Sequence, residues 1–555
     1  MWEGISLIKE EFNLLLITSA SVKGAQGHYL APPMGLYRLK NYLLDNGLKA
    51  EIWDLGYENE GAGKDNYFKR AANGEFSAIG ISVSHIQMQK DLEMMDRFRL
   101  ATKELQRPCL ILAGGQEATL NYEQWLDGGI DLIIMGYGEY SLLELCKKYI
   151  SDPKAHPVDL SAGINGIACR DREGKTVVVP RSALSQEEFE FLSYDRVMEA
   201  DDVPYKEYWD FVRRHGKSTN FPQSKFVVES IRIYATSHCG RTCGFCSTQS
   251  FIREAQSKNS AVQMLTAVQI YNLILFYHKK YSAKCVHFTD DNVLVGSRNG
   301  IKRLEALCEM IIESKECGDF PKDFLFNCQT RIEDLQIVDN NRKRWVNREL
   351  LRLMKSAGFH VVSLGVETFS GRLQKCPPIN KNINIDDIKS VLDTVLEEGL
   401  VPKINLILGI PETTVDEILL SMEIGAEYMR KGCQLSVGTA MLSMPGARIY
   451  NNPNYEISHI DWVHPYSGIS IKIADYYIPF DPEVAGVIVE YRKIAKAEVD
   501  RLLDGSPWNE NAAPHFVFTM AVFIGFCKIL GRLDLVEEYE GLVQDLMKEP
   551  SLNIH

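Results

Sequence analysis

Three cysteines lie close together near the middle of this 555-residue chain. Cys239, Cys243 and Cys246 have the spacing C-x3-C-x2-C and follow an apolar, strand-like stretch that begins at Ile231. Cysteine thiolates are the usual protein ligands of iron–sulfur clusters, and three of them leave one iron of a four-iron cubane open. A zinc knuckle is the alternative, but structural zinc normally takes four ligands from paired motifs, and the triplet lacks a second pair. The triplet predicts a [4Fe-4S] cluster with one open iron.

The composition is that of an ordinary globular protein, with 45% hydrophobic and 24% charged residues and a formal net charge of −13. The acidic balance argues against nucleic acid and anionic membranes as partners. The 13 cysteines are scattered, which does not suit a secreted disulfide framework. We find no signal-peptide pattern and no apolar run of about 18 residues. We therefore expect a cytoplasmic monomer that neither binds nucleic acid nor spans a membrane.

The cysteine triplet follows the first of several strand-like segments that alternate with helical ones. Six βα units predict a partial (β/α)6 barrel rather than a complete eight-fold one. Helical patterns, such as Ala261–Tyr281 and Ile301–Ser314, fall between the strands. The strand candidates are Ser230–Ala235, Cys285–Phe288, Phe324–Cys328, Val361–Gly365, Lys403–Leu408 and Gln434–Thr439.

The first 150 residues show a second alternation of short apolar strands and amphipathic helices. This pattern predicts an α/β, doubly wound, Rossmann-like domain, with ligands at the carboxyl ends of its strands. The strand candidates are Leu14–Thr18, Ala50–Leu55, Ala78–Val83, Cys109–Ala113 and Leu132–Met135.

The patterns divide the chain into four parts. We expect the Rossmann-like domain in residues 1–150, a linker with some structure of its own in 151–225, the barrel in 226–451 and a mainly helical C-terminal cap in 452–555. The aromatic and histidine side chains of the cap either close over a substrate or form an ordinary helical core. These side chains are Trp462, His464, Tyr466, Tyr476, Tyr477, Trp508 and His515.

From about residue 227 to 450 the chain resembles the radical S-adenosylmethionine (SAM) superfamily, because further motifs follow the triplet in the family's order. The resemblance implies that SAM chelates the open iron. It also implies that a reductant such as flavodoxin or ferredoxin supplies the electron that cleaves SAM to a 5′-deoxyadenosyl radical. The triplet would then be catalytic as well as metal-binding.

The resemblance also implies a SAM site at the carboxyl ends of the barrel strands. Phe245 would pack near the adenine, Glu367 would reach the ribose or amino group, and the turn Gly409-Ile-Pro-Glu-Thr413 would lie beside the adenine. Thr289-Asp-Asp291 stands where the family more often has Gly-Gly-Glu. Each position also has an ordinary structural interpretation, such as a helix cap, a surface ion pair or a turn. The implied SAM-binding residues are Phe245, Thr289, Asp290, Asp291, Gln329, Arg331, Glu367, Gly409, Pro411 and Glu412.

The N-terminal domain resembles the cobalamin-binding domain that precedes many radical enzymes. Small residues at strand ends would let a flat macrocycle approach the backbone. The motif Asp-x-His-x-x-Gly is missing, so His85 to Gln87 are the candidates to cover the lower cobalt face. A generic flavodoxin-like domain, or one that has lost its cofactor, is the alternative. The implied cobalamin-binding residues are Gly35, Leu36, Ser82, Ser84, His85, Gly114, Gly115, Gln116, Gly136, Tyr137, Gly138 and Glu139.

The remaining cysteines argue against a second cluster. Cys109 and Cys146 lie in apolar patterns, as small core residues do, and only Cys433 and Cys527 follow residue 380. A reservoir for a second cluster would be limited to Cys308, Cys317, Cys328 and Cys376.

The leading functional hypothesis is a cobalamin-dependent radical SAM methyltransferase that acts on an unactivated carbon. The substrate would be a peptide or protein side chain, a small natural-product intermediate or a lipid. The first alternative is another radical reaction on the same scaffold, such as cyclisation, ring contraction or carbon–carbon bond formation. The second is a cobalamin or redox sensor without catalytic activity.

Overall fold

The computed structural model describes residues 12–18, 31–55, 64–83, 88–200, 202–215, 229–255, 261–338, 344–465, 468–506 and 514–548.

A seven-stranded sheet forms the N-terminal domain, in the order β2-β1-β3-β4-β5-β6-β7. The first five strands run parallel, and β6 and β7 are antiparallel to their neighbours. Alternate residues of β1 enter different cores, with Leu15 and Ile17 on one face and Leu14 and Leu16 on the other. Burial on both faces explains why these strands read as continuous apolar runs. The strands are β1 Asn13–Thr18, β2 Lys49–Trp53, β3 Ala78–Ser82, β4 Leu110–Gly114, β5 Leu132–Ile134, β6 Ile167–Arg170 and β7 Thr176–Val179.

Helices cover both faces of this sheet, and the predicted doubly wound domain is confirmed. The helices are α1 Met34–Asp45, α2 Lys64–Ala72, α3 Met88–Thr102, α4 Gln116–Leu120, α5 Tyr122–Asp127, α6 Glu139–Ser151 and α7 Pro157–Ser161.

The interval 151–225, which we predict to be a linker, contributes to both neighbouring domains. Its hairpin of β6 and β7 adds two strands to the N-terminal sheet, so the sheet extends past residue 150. After the hairpin come α8 Gln186–Glu190, a π-helical turn at Phe191–Asp195, α9 Arg196–Glu199 and α10 Tyr205–His215. Tyr205 and Trp209 are buried in the same core as the barrel strands. The described part of this segment is therefore a packed bridge between the domains.

A six-stranded parallel sheet forms the partial barrel, in the sequential order β8-β9-β10-β13-β14-β15. All six predicted strands are present. A hairpin, β11 Gln336–Val338 and β12 Arg344–Val346, follows a 3₁₀ turn at Ile332–Leu335. The barrel strands are β8 Ser230–Ile233, β9 Cys285–Phe288, β10 Leu325–Thr330, β13 Phe359–Glu367, β14 Val401–Ile407 and β15 Gln434–Gly438.

The barrel helices are α11 Thr248–Ala255, α12 Ala267–Tyr281, α13 Arg298–Cys317, α14 Arg348–Ala357, α15 Ile385–Glu397 and α16 Val415–Arg430. Helix α12 begins later than the predicted start at Ala261. Thr266 and Gln269 form a capping box, in which each side chain accepts from the other residue's backbone N–H. This local cap fixes where the helix starts.

The C-terminal part is mainly helical, as predicted, but it begins with a hairpin of β16 Ile457–Val463 and β17 Ser470–Tyr477. Helices α17 Pro482–Leu503, α18 His515–Ile529 and α19 Leu533–Lys548 follow. Thr519 Oγ1 in α18 donates to the Leu435 carbonyl of β15 (3.1 Å), which places α18 against the barrel. Among the described residues, no helix combines the length and apolar character that a membrane span requires.

The hairpin of β16 and β17 packs on the N-terminal domain rather than on the helices that follow it. Ile471 and Trp462 join the core that covers one face of the first sheet. His464 is fully buried there, with its Nδ1 3.5 Å from Asp96 Oδ2 in α3. Burial lowers the pKa of His464 below its ordinary value, although Asp96 opposes that shift.

Acidification should destabilise this contact. A buried neutral imidazole resists the proton that the unfolded chain accepts once the pH falls below about 6.5. The free energy of unfolding should therefore decrease as the pH falls through that value, by at most about 1.4 kcal/mol per pH unit for this one group. Thermal unfolding at a series of pH values measures the slope. His464→Phe should flatten it, whereas His459→Phe, on an exposed position of β16, should leave it unchanged. Equal slopes in both variants would contradict this role of His464.

Candidate active site

The cysteine loop leaves the carboxyl end of β8 and leads into α11. Its C-G-F-C turn is pressed against the loop that follows β13. A Cβ atom on Gly244 would lie 2.0 Å from the carbonyl oxygen of Pro377 and 2.7 Å from that of Pro378. The backbone N–H of Phe245 donates to the Pro378 carbonyl (2.8 Å). Only glycine fits this approach, so backbone contact holds the turn between the last two cysteines against this loop.

The three cysteines are half-buried and lie within electrostatic reach of one another. Burial raises the pKa of the Cys239 thiol to about 11 and also raises that of Cys246. Three thiolates in one half-buried loop need positive charge nearby, which iron supplies when a cluster binds.

Three thiols in one loop are the donor set that a cubane cluster with one open iron requires. Among the described residues, no three His, Cys, Asp or Glu side chains converge as ligands of one metal ion. In a cubane each thiolate binds a different iron, so the sulfurs must stand apart.

Arg331, at the end of β10, contacts the cysteine loop directly. Its Nη1 donates to Cys243 Sγ (2.8 Å), and its other nitrogens bind Glu333 at 2.5 and 3.2 Å. The resemblance implies that Arg331 lines the SAM pocket. The structure places it at a cysteine, and the bidentate pair with Glu333 orients its guanidinium there.

Asp290 and Asp291 follow β9 and have different surroundings. Asp290 is buried, and its Oδ1 accepts from the N–H of Ala235 (2.9 Å) and from Thr236 Oγ1 (2.5 Å). This carboxylate therefore ties the start of the cysteine loop to the end of β9. Asp291 has an exposed side chain, but it faces a cavity, where the surrounding protein and then the charge of Asp290 raise its pKa to about 6.

Tyr234, a residue that the sequence interpretation misses, follows β8 and lies near Asp290 and Asp291. Its side chain is 60% exposed, yet burial raises the pKa of its hydroxyl, because the space that it faces is enclosed. Its hydroxyl is close enough to Thr289, and to Tyr137 in the N-terminal domain, for an electrostatic interaction. A large side chain that points away from the core at a strand end is its only sequence signal.

The other side of the barrel mouth holds Glu367, which has a positive φ of 66° next to a bulge in β13. Its Oε1 accepts from Lys381 Nζ (2.7 Å), and both side chains are buried. Strained backbone of this kind at a strand end is often found at functional sites. Lys381, a second residue that the sequence interpretation misses, holds the Glu367 carboxylate in place. Gln329 lies exposed at the end of β10.

The turn after β14, residues 409–413, lies behind the barrel mouth. A Cβ on Gly409 would lie 2.6 Å from the Thr439 carbonyl oxygen, so the turn packs closely on the loop after β15. The Pro411 carbonyl accepts from Phe480 N–H (2.8 Å), and Glu412 Oε1 accepts from the Tyr455 hydroxyl (2.7 Å). Phe245 packs against the cluster of apolar side chains that contains Ile410. The structure thus brings Phe245 and this turn together.

A cavity of about 540 Å³ lies between the N-terminal sheet and the barrel mouth. It extends from the strand ends of one domain to those of the other, and Tyr234 lines it. Ser84 and His85 lie outside the described residues. The predicted site residues that line it are Gly35, Leu36, Ser82, Gly114, Gly115, Gln116, Gly136, Tyr137, Gly138, Glu139, Thr289, Asp290 and Asp291.

Glycines form much of the floor on the N-terminal side of the cavity. Gly115 has a φ of +93°, and a Cβ there would lie 2.6 Å from the Val83 carbonyl oxygen. Gly35 has open space where its Cβ would be. Gln116 Nε2 donates to Ser247 Oγ (3.4 Å), one residue beyond Cys246. The glycines therefore leave backbone atoms accessible to a flat ligand close to the cysteine loop. A surface of this kind fits a corrin ring.

Comparison with known proteins agrees with both halves of this site. The radical SAM superfamily model matches residues 233–424, and the B12-binding domain model matches residues 21–146. The chain therefore contains a radical SAM domain and a B12-binding domain. The radical SAM domain implies SAM and a [4Fe-4S] cluster as cofactors, and the B12-binding domain implies cobalamin.

Individual relatives of this chain are distant. An "uncharacterized methyltransferase" of Pyrococcus horikoshii is 21% identical, with the alignment covering 64% of this chain and 66% of the relative. The anaerobic magnesium-protoporphyrin IX monomethyl ester cyclase of Rubrivivax gelatinosus is 24% identical over 57% of this chain. The chain spans about half of that cyclase, at 48%. The structure of the radical SAM methyltransferase TsrM from Kitasatospora setae superposes with a TM-score of 0.61 at 16% identity, covering 97% of this chain and 99% of TsrM.

Removing one thiolate should prevent the cluster from forming. Cys243→Ala deletes a ligand and the acceptor of the Arg331 hydrogen bond, so most of the iron and sulfide bound after anaerobic reconstitution should be lost. Cys317→Ala, at an exposed cysteine at the end of α13, is the matched control and should bind as much iron as the wild type. Equal iron content in both variants would overturn the assignment of Cys243 as a ligand.

Arg331 should tune the cluster electronically. Hydrogen bonds to cluster sulfurs influence the reduction potential, and a cationic donor favours the reduced, more negative state. Arg331→Met should therefore shift the midpoint potential to a more negative value, as measured by redox titration with electron paramagnetic resonance. Arg348→Met, which removes an exposed arginine paired with Glu397 and Glu398, should cause no shift. An unchanged potential in Arg331→Met would show that Arg331 does not act on the cluster.

Proposed function

We propose that the protein is a cobalamin-dependent radical SAM C-methyltransferase. Its substrate would be a small natural-product intermediate or a peptide or protein side chain, methylated at an unactivated carbon. The observation that carries the proposal is the shared cavity: the glycine floor of the B12-binding domain and the barrel residues Thr289 and Asp291 line one continuous space. A substrate in that space can face both cofactors.

The cofactors and the side chains of the protein have different roles at this site. When bound, the cluster and SAM supply a 5′-deoxyadenosyl radical, and cobalamin supplies a transferable methyl group. Cys239, Cys243 and Cys246 hold the cluster. Asp291 and Glu367 provide carboxylates at the barrel mouth that can orient a cationic amino group or a ribose.

The enclosure of the cavity suits radical chemistry. Tyr137 from the B12-binding domain and Tyr234 from the barrel both line it. Their rings can narrow the passage between the two cofactor regions and exclude water from a reactive intermediate. We further propose that the enzyme works as a cytoplasmic monomer that receives electrons from flavodoxin or ferredoxin.

Names of relatives support methyl transfer without settling it. The P. horikoshii relative and TsrM are both named methyltransferases, whereas the R. gelatinosus relative is named a cyclase. The second candidate is therefore a radical cyclisation or another carbon–carbon bond-forming reaction at the same cavity.

An isotope experiment separates the two candidates. The reconstituted protein is incubated anaerobically with a chemical reductant, cobalamin, SAM bearing a trideuterated methyl group and a library of candidate substrates. Mass spectrometry should detect 5′-deoxyadenosine and a product that carries the labelled methyl. Deoxyadenosine with an unlabelled product would favour the second candidate. No deoxyadenosine under conditions in which the cluster is reduced would refute radical catalysis.

A further inference from the structure

Five polar side chains on the barrel strands form what we call the lumen patch: Arg232, His287, Asn327, Ser363 and Lys403. Each is half-buried, whereas the strand residues on either side of Arg232, His287 and Asn327, such as Ile231, Val286 and Phe326, are buried in the barrel core. Because side chains alternate along a strand, the patch lies on the face opposite that core, which is the inside of the barrel.

Neighbouring strands place the members of the patch side by side. Arg232 pairs with His287 and His287 with Asn327, while Ser363 pairs with Lys403. The amide of Asn327 lies 3.2 Å from His287 Nδ1, and Asn405 Nδ2 donates to Ser363 Oγ (3.1 Å). The inner surface is therefore an ordered set of hydrogen-bonding groups rather than an apolar filling.

Both cations of the patch act on the same imidazole. Burial and, to a smaller extent, the charges of Arg232 and Lys403 together lower the pKa of His287 to about 4. His287 is therefore neutral at ordinary pH, and the positive charge in this region belongs to Arg232 and Lys403. Arg232 also lines the cavity between the domains, which connects the patch to the proposed active site.

Negative charge is confined to the rim of the barrel. Glu367 is the only acidic residue within the six described barrel strands, and it lies at the last position of β13 beside Lys381. Asp290 and Asp291 lie beyond the end of β9. The interior thus has two cations and neutral donors, whereas the carboxylates lie where the strands end.

We propose that the lumen patch binds an anionic group of the substrate, a carboxylate or a phosphate-like group, through Arg232 and Lys403. This inference rests on the proposed function, since it places the substrate below the cofactors. Both side chains also make contacts within the protein, and an anionic ligand would add to these. An anion held by two cations inside a barrel gains strong, charge-assisted hydrogen bonds, and the rest of the molecule would extend toward the cavity.

Fluorine NMR of the cluster-loaded, full-length protein tests this without turnover. The probes are trifluoromethyl-benzoate, the matching phenylphosphonate and the matching neutral benzamide. At least one anionic probe should bind, and at least tenfold more tightly than the benzamide. The tighter of the two anions identifies the group that the site prefers.

Variants locate the binding. Arg232→Gln and Lys403→Met should each weaken binding of the anionic probe at least tenfold, while Lys403→Arg should restore most of it. Lys493→Met, at an exposed lysine of α17, is the control for non-specific charge and should bind like the wild type. Thermal unfolding verifies that each variant is folded.

The proposal is overturned if the benzamide binds as tightly as the anions, if no probe binds, or if the two lumen variants bind like the wild type. The readout requires neither a radical nor methyl transfer. Failure here with a labelled product in the isotope experiment would leave the methyltransferase intact and remove only the anionic substrate. Anion binding without any labelled product would support the anion site and contradict the proposed methyl transfer.

Discussion

The site depends on one backbone contact, the approach of Gly244 to the carbonyl oxygens of Pro377 and Pro378. A side chain at this position would push the cysteine turn away from the loop after β13. Cys243 would then lose its place beside Arg331, and Phe245 its place beside the turn after β14. A single steric constraint thus links the cluster loop to strand ends that are more than a hundred residues apart in sequence.

The two sheets make this local geometry useful because their carboxyl ends face the same cavity. In parallel α/β sheets ligands bind at these ends, where loops are free to vary without disturbing the strands. The packed bridge between residues 180 and 215 and the hairpin of β16 and β17 hold the domains together from two sides. Tyr205 enters the barrel core from the bridge, and Ile471 enters the core of the B12-binding domain from the hairpin. The cavity is therefore set by the packing of segments that carry none of the cofactor motifs.

The difference between what the sequence predicts and what it does not follows from the range of the interactions. The five parallel strands of the first domain are predictable because burial on both faces leaves apolar runs. The six barrel strands are predictable because buried apolar residues alternate with polar ones along them. The hairpin β6–β7 is not, since its short strands become recognisable only when β6 pairs with β5 and β7 pairs with β6. The role of Asp290 is also hidden, because a carboxylate that accepts from Ala235 and Thr236 has the same sequence signature as a ligand-binding one. Lys381 becomes significant only when folding brings it to Glu367.

Charged side chains occupy two levels of the barrel, with carboxylates at the strand ends and cations in the interior. Each level suits a different ligand. The rim of the barrel holds carboxylates. SAM has a sulfonium and an amino group, and both would need negative partners there. The interior holds Arg232 and Lys403, which add to the effect of burial in lowering the pKa of His287 and would repel the same cofactor from the lumen. The two levels can therefore select ligands of opposite charge, although they lie on the same strands. Cofactor and substrate would then be prevented from exchanging places by electrostatics as well as by shape.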